Sequence, residues 1–209
     1  DSMLNHGILP VDTKYIVIIK STIPPRTTNK LNKKYKNLQI VFNPEFLTEA
    51  NFIEDFKNQD RIIIGGPRPA STKVRQLFYK AFPKAHIIKT SSTIAEMVKY
   101  MTNTFLATKV SFANEMKMIC DGLNIDYDKV VEYSTYDERL GKSHWAVPGP
   151  DGKMGFGGSC FPKDINALIK VADELGLCTE VLSSAWYTNL MVRPEQDWKE
   201  LKGRAVTDE

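Results

Sequence analysis

The chain has 209 residues, 42% of them hydrophobic and 25% charged, which is the balance of an ordinary soluble protein of one large or two small domains. A formal net charge of +3 is too small to argue for nucleic acid or a membrane surface as a partner, and no apolar run is long enough to cross a bilayer. The three cysteines, at positions 120, 160 and 178, make neither a disulfide framework nor a zinc site, and no His/Cys cluster has metal-ligand spacing.

The chain opens at Asp1 without a Met or a signal-peptide pattern and reaches a strand almost at once, so a preceding segment is expected in the natural protein. Lys14-Tyr-Ile-Val-Ile-Ile-Lys20 is almost wholly apolar and reads as a parallel strand buried on both faces. Ser21-Thr-Ile-Pro-Pro25 ends it. Loops at the carboxyl ends of strands hold ligands in open α/β sheets, yet Ser21 and Thr22 read equally well as turn residues. Thr27 to Lys36 is a polar helix with a solvated lysine face.

Leu38 to Asn43 is a second strand. Pro44-Glu-Phe-Leu-Thr-Glu49 then sets Glu45 and Glu49 at its C-terminal end, or at a helix start where carboxylates suit the dipole. Asp60-Arg-Ile-Ile-Ile-Gly-Gly66 is a third strand, Ser71 to Phe82 a helix with Ser71 as its cap, and His86 to Lys89 a fourth strand. The alternation predicts a parallel, doubly wound sheet.

Past residue 90 the pattern changes. Ser92 or Thr93 caps a helix, and Thr93-x-x-Glu96 matches a capping box. No Pro or Gly interrupts before Gly122, and thirty or so helical residues span ~45 Å at 1.5 Å each. Its apolar positions cover more than one face, which predicts a helix joining two domains or two subunits. Lys99 and Asn103, four apart, share one face; alone they read as a surface lysine and a tolerated asparagine. Asp126 to Tyr136 is a further helix, followed by Asp137-Glu-Arg-Leu-Gly141 and a loop from Lys142 to Lys153.

Gly155-Phe-Gly-Gly-Ser-Cys-Phe-Pro-Lys-Asp164 comes next. Its glycines allow a sharp turn and close approach to a ligand. The segment after Pro162 reads as a helix, which sets Cys160 beside its N-terminus with Lys163 close by, and both features favour a reactive thiolate; a small buried filler is the bland alternative. A last helix runs from about Glu180 to Val192. The expected domains are 1–90, the C-terminal part of a nucleotide-binding sheet domain; 91–192, all helical; and 193–209, a polar tail.

In this order the motifs resemble the UDP-glucose/GDP-mannose 6-dehydrogenase family. The matching stretches are Lys20-Ser-Thr-Ile-Pro24, Asn43-Pro-Glu-Phe-Leu-x-Glu49, Asp60-Arg-Ile-x-Ile-Gly-Gly66, Glu96-Met-Val-Lys99 with Asn103-Thr-Phe-Leu106, Asp137-x-Arg-Leu-Gly141 and Gly155-Phe-Gly-Gly-x-Cys-x-Pro-Lys-Asp164. The resemblance implies the later part of a Rossmann-type parallel sheet followed by an all-α central domain built on one long helix. It implies NAD as cofactor and two successive oxidations of a nucleotide sugar's primary alcohol, UDP-glucose first, then GDP-mannose or a UDP-N-acetylhexosamine. By resemblance Cys160 is the nucleophile, Lys99 and Asn103 stabilise an oxyanion, Asp164 positions water with Lys99, and Glu45 is a general base. Ser21, Thr22, Glu49 and Lys163 resemble cofactor contacts. Glu45, Phe46, Leu47, Lys99, Asn103, Phe156 and Gly157 resemble substrate contacts. Arg139 resembles an arginine that reaches a neighbouring subunit's substrate. A homodimer through the long helix and a cytoplasmic setting are expected, with no metal, nucleic acid or membrane.

Two features depart from the family. No Gly-x-Gly-x-x-Gly fingerprint follows a strand, and the chain stops too soon after Asp164 for a third, nucleotide-gripping domain. The rival readings are a single-oxidation dehydrogenase of the 6-phosphogluconate or 3-hydroxyacid type, a non-catalytic helical dimerisation fragment, and a Cys–His hydrolase drawing on His6, His86 or His144.

Overall fold

A computed structural model describes residues 15–47, 51–201 and 203. The chain divides into two compact units, Asp1–Lys99 and Tyr100–Glu209, and the division falls inside the long helix.

Unit 1 holds a four-stranded sheet whose spatial order is the chain order: β1 (Tyr15–Ile19), β2 (Leu38–Phe42), β3 (Arg61–Gly65) and β4 (His86–Thr90). β1 and β2 are parallel, with Tyr15 opposite Leu38; β3 and β4 are parallel, with Arg61 opposite His86. β2 and β3 meet antiparallel at Phe42 and Gly65, so the sheet is not parallel throughout, as the alternation had predicted. α1 (Thr27–Lys34) and α3 (Ala70–Ala81) lie in the two parallel connections, and the six-residue α2 (Phe52–Lys57) lies in the connection from β2 to β3.

Alternate side chains of β2 and β3 feed two cores. Val41, Ile62 and Ile64 pack with Ala70, Val74 and Phe78 of α3. Phe42 and Ile63 pack on the other face with Ala95 and Val98 of α4 (Ser92–Gly122). β2 and β3 are thus covered on both faces, while β1, expected to be buried on both, is only half-buried along its length. Gly65 marks the closest approach of sheet and helix: a Cβ there would lie 2.5 Å from the Ala95 Cβ.

Two capping expectations change. α3 starts at Ala70 behind Pro69, with Ser71 buried in its first turn. α4 is capped by Ser91, whose Oγ accepts the Ile94 N–H at 3.3 Å. Glu96 closes no box with Thr93. It is fully buried and accepts the N–H of Arg26 (2.6 Å), the N–H of Thr28 (2.8 Å) and the Thr28 hydroxyl (2.6 Å). These amides belong to the N-terminus of α1, which lacks a side-chain cap of its own because Arg26 at its start is left-handed (φ 74°). A carboxylate from α4 therefore caps α1.

Unit 2 is helical: the rest of α4, α5 (Tyr127–Ser134), α6 (Cys160–Glu174) and α7 (Glu180–Val192), with 3₁₀ turns at Glu138–Leu140 and Asp197–Glu200. Asp126 caps α5, its Oδ1 accepting the N–H groups of Asp128 and Lys129. One core joins Ala107, Phe156, Ile165 and Ala185; a second joins Ala113, Cys120, Tyr127 and Val147. Alanines at these contacts let the backbones approach, and the Ser111 hydroxyl on α4 donates to the Ala185 carbonyl on α7 at 2.6 Å. The segment after Val192 is no polar tail as far as the 3₁₀ turn. Arg193 and Trp198 are buried, and the Trp198 ring lies 5.1 Å from Trp186.

Replacing Glu96 by Ala strands two buried donors of Thr28 and the part-buried N–H of Arg26, and the expected loss is about 3 kcal/mol of unfolding free energy, with Glu96→Gln losing less. Urea denaturation measures it; a change below about 0.5 kcal/mol would refute the capping role.

Candidate active site

In unit 1 the loop after β2 is held at several points. The Asn43 side chain donates to the Ile63 carbonyl at 2.8 Å and accepts from Lys20 Nζ at 2.8 Å. Lys20 also lies 3.2 Å from a Glu45 carboxylate oxygen that is substantially exposed. Lys99, buried on α4, donates its ammonium to the Glu45 carbonyl at 2.5 Å and sits 5.5 Å from the centre of the Phe46 ring. The Arg61 guanidinium covers the same ring at 4.1 Å. Phe46, Leu47, Asp60 and Arg61 line a cavity of about 590 Å³. The structure therefore brings Lys99, Glu45 and Phe46 together, with Leu47 beside them. Ser21 is exposed and Thr22 half-buried where β1 ends. Glu49 lies outside the described residues.

In unit 2 Cys160 is the first residue of α6 and is exposed, with the Ser159 hydroxyl 3.9 Å from its sulfur. The positive end of a helix dipole stabilises negative charge developing at this position. One turn on, Asp164 is fully buried. One of its oxygens accepts Asn103 Nδ2 at 2.6 Å, and the other pairs with the Lys163 ammonium. Asn103, Lys163 and Asp164 thus form one network, and Lys163, read from the sequence as a cofactor contact, is engaged by its neighbour. Lys99 and Asn103 lie one turn apart on α4, both buried.

Phe156 is buried and Gly157 lies against the guanidinium of Arg193. Arg139 is exposed and holds Asp137 through Nε (2.9 Å) and a terminal nitrogen (2.5 Å). Hydrogen bonds from the Arg139 side chain and N–H keep the Asp137 carboxyl below the usual range.

Lys109, Asn114 and Asn189 escaped the sequence reading, and His144 and Arg193 were read in other roles. Lys109 donates to the carbonyls of Leu140 (2.8 Å) and Gly141 (3.2 Å) and sits 4.6 Å over the Trp145 ring; burial lowers its pKa. His144, left-handed at φ 66°, has an unpartnered buried Nδ1; its pKa is lowered by burial first and by the Lys109 charge second. Asn114, Asn189 and Arg193 grip the glycine loop. The signal for Arg193 was a lone cation at the end of an apolar helix, which spacing alone does not separate from a surface charge. Among the described residues no group of three or more His, Cys, Asp or Glu could hold a metal, and no helix is long and apolar enough to cross a membrane.

Two family models match the chain: the UDP-glucose/GDP-mannose dehydrogenase family NAD binding domain over residues 8–83, and that family's central domain over residues 93–190. A UDP-glucose 6-dehydrogenase of Bacillus subtilis is 35% identical over 181 residues, which is 83% of this chain and 38% of that protein. The solved structure of a UDP-glucose dehydrogenase from Pyrobaculum islandicum is similar with a TM-score of 0.74 at 32% identity, covering 85% of this chain and 42% of the other. A UDP-D-ManNAc dehydrogenase from Pyrococcus horikoshii gives 0.71 at 28% identity, with the same coverage of 85% and 42%. The chain spans less than half the length of each of these relatives.

Replacing Asn103 by Leu leaves the buried Asp164 without that donor, and the expected cost is about 2 kcal/mol by chemical denaturation. The double variant Asn103→Leu/Asp164→Leu should recover part of it, since removing both partners leaves no unsatisfied group. Strict additivity of the two losses would refute the pairing.

Proposed function

The chain belongs to the UDP-glucose/GDP-mannose dehydrogenase family, and from that premise we propose that it carries the chemical groups for the four-electron oxidation of a nucleotide sugar, UDP-glucose to UDP-glucuronate first. GDP-mannose and UDP-N-acetylhexosamines are the alternative substrates. The observation that carries this reading is the exposed Cys160 at the first position of α6, with the buried, hydrogen-bonded Asp164 one turn behind it.

The matched NAD binding domain makes NAD the cofactor. Ser21 and Thr22 stand at a strand's carboxyl end, where open α/β sheets bind ligands, and they suit one side of such a site. The N-terminal amides of α1 are taken by Glu96, so they offer no pyrophosphate cradle. Bound NAD accepts a hydride in each oxidation.

Loss of the first hydride from the sugar's C6, with the hydroxyl proton passing to water, leaves an aldehyde. The Cys160 sulfur adds to its carbon, forming a C–S bond and an oxyanion. Lys99 and Asn103, the buried cation and amide, stabilise that charge. Lys99 does so by exchanging the Glu45 carbonyl for the substrate oxygen. Loss of the second hydride gives a thioester. Water then adds, the C–S bond breaks, and the thiolate and a carboxylate are released. Glu45 takes the proton from that water and Asp164 helps to orient it.

We further propose that the assembly is a homodimer through α4. Met101, Phe105, Phe112 and Ile119 are all exposed, and their spacing of four, seven and seven places an apolar seam along one face. A second copy of the same chain supplies a matching seam.

With NAD and UDP-glucose, two NADH are expected per sugar consumed, and Cys160→Ser should cut formation of the acid by at least about a thousand-fold. One NADH per sugar, or near-normal turnover by the variant, would overturn the thioester route. Light scattering should give twice the chain mass, and Phe105→Glu with Phe112→Glu should return a monomer; a monomeric parent chain would sink the dimer.

A further inference from the structure

The loop that precedes Cys160 has a backbone gripped by side chains from other parts of unit 2. The Gly155 N–H donates to Asn114 Oδ1 at 3.1 Å. The Asn189 amide takes both polar groups of Phe156, accepting its N–H at 2.7 Å and donating to its carbonyl at 3.0 Å. The Gly158 N–H donates to Asp197. Between these points the Arg193 guanidinium lies flat on Gly157: a Cβ at 157 would come within 2.3 Å of one terminal nitrogen and 2.7 Å of Nε. Gly155 and Gly158 are left-handed, both at φ 66°, so the loop needs glycine there and would be loose without external contacts.

Arg193 is the centre of this arrangement. It is 2% exposed, and a buried guanidinium needs carboxylate partners to offset its desolvation. Asp197 accepts its Nε at 2.7 Å and a terminal nitrogen at 3.1 Å; Asp151 accepts a terminal nitrogen at 2.7 Å; the Met154 carbonyl accepts another at 3.3 Å. The partners sit on both sides of the loop in sequence, at 151–154 and at 197. Hydrogen bonds from Arg193 hold the Asp197 carboxyl below its usual range against the opposing effect of burial. Burial works to raise Asp151, and the bonds from Arg193 and the Lys153 N–H outweigh it.

We propose that Arg193 is a positioning residue for Cys160: clamped by Asp151 and Asp197, it fixes the Gly155–Gly158 backbone and thereby the point from which the sulfur meets a substrate carbon. The segment Arg193–Glu200 is then a strap on the thiol loop. The inference rests on the reading of Cys160 as the reacting thiol, and it goes beyond that reading by assigning the geometry to a residue outside the loop.

The test needs neither NAD nor sugar. In a Cys178→Ser background Cys160 is the exposed thiol, since Cys120 is buried. Iodoacetamide alkylates it, with a C–S bond formed and iodide released, and hydrogen exchange reports the loop amides. Arg193→Met should slow alkylation at pH 7 by at least about five-fold and speed exchange at Gly155–Gly158 at least about ten-fold, with the α5 amides unchanged. Arg193→Lys should keep alkylation within about two-fold of the parent. Should Arg193→Met fail to fold, Asp197→Asn carries the same expectation at smaller amplitude. Faster loop exchange with unchanged alkylation overturns the proposal, because the strap would then order the loop without bearing on the thiol. Unchanged exchange overturns it too. Alkylation that follows the expectation in a chain producing no NADH would keep the positioning role while counting against the dehydrogenase reading.

Discussion

Unit 1 is organised by the buried carboxylate of Glu96. Removing a charge from water costs several kcal/mol unless donors replace the solvent, and here two amides and a hydroxyl at the start of α1 do so. The bond set ties the connection after β1 to the first turns of α4. Gly65 allows β3 to lie almost on the backbone of the same helix. With those turns fixed, Lys99, three residues beyond Glu96, is directed at the loop after β2, where it meets the Glu45 carbonyl. The strand-end loops of β1 and β2 are thus both anchored to one helix, and the positions of Ser21, Thr22, Glu45 and Phe46 follow from that anchoring.

Unit 2 solves a different problem. Its glycine loop has backbone groups with no regular secondary structure to satisfy them, and buried orphan N–H and C=O groups are costly. Asn114 and Asn189 meet this need because an amide can donate and accept in one plane, as Asn189 does toward Phe156. Arg193 adds a flat surface that fits only where residue 157 has no side chain. Asn114 and Asn189, inside helices, would be unfavourable on an apolar contact face, and the loop's backbone groups are what satisfy them here.

Much of this was legible in the sequence, for identifiable reasons. The apolar runs at 62–64 and 40–42 and the uninterrupted stretch from 92 to 122 announce strands and a long helix through periodicity and the absence of breakers. The helix expected after Pro162 starts two residues earlier, at Cys160, with the proline inside its first turn. Partner choice was not legible. Thr93-x-x-Glu96 has capping-box spacing, but three donors at another helix outcompete one local N–H, and only the tertiary fold brings them within reach. Arg193 reads as solvent-facing beside Pro194 and Glu195, since nothing local reveals that Asp151 lies opposite. The antiparallel junction of β2 and β3 is a single residue pair, Phe42 with Gly65, and hydrophobic pattern does not encode strand direction.

The carboxylates assigned to water chemistry differ in how firmly they are held, and the difference divides their work. Asp164 is fully buried, bonded on one oxygen by Asn103 and paired on the other with Lys163, so it cannot swing without breaking both. Glu45 is attached through its backbone, by the carbonyl that receives Lys99, while its carboxylate is exposed and pairs with Lys20 at 3.2 Å. An exposed pair of that kind contributes about 0–1 kcal/mol, little enough to give up. A group that fixes the direction of a water benefits from immobility, whereas a group that takes and later releases a proton must change partners during the cycle. In the proposed reaction that difference suits Asp164 to the orienting role and Glu45 to the role of base. Within unit 1 Lys99 bears on the proposed base: an ammonium that left the Glu45 carbonyl would loosen the loop that carries Glu45.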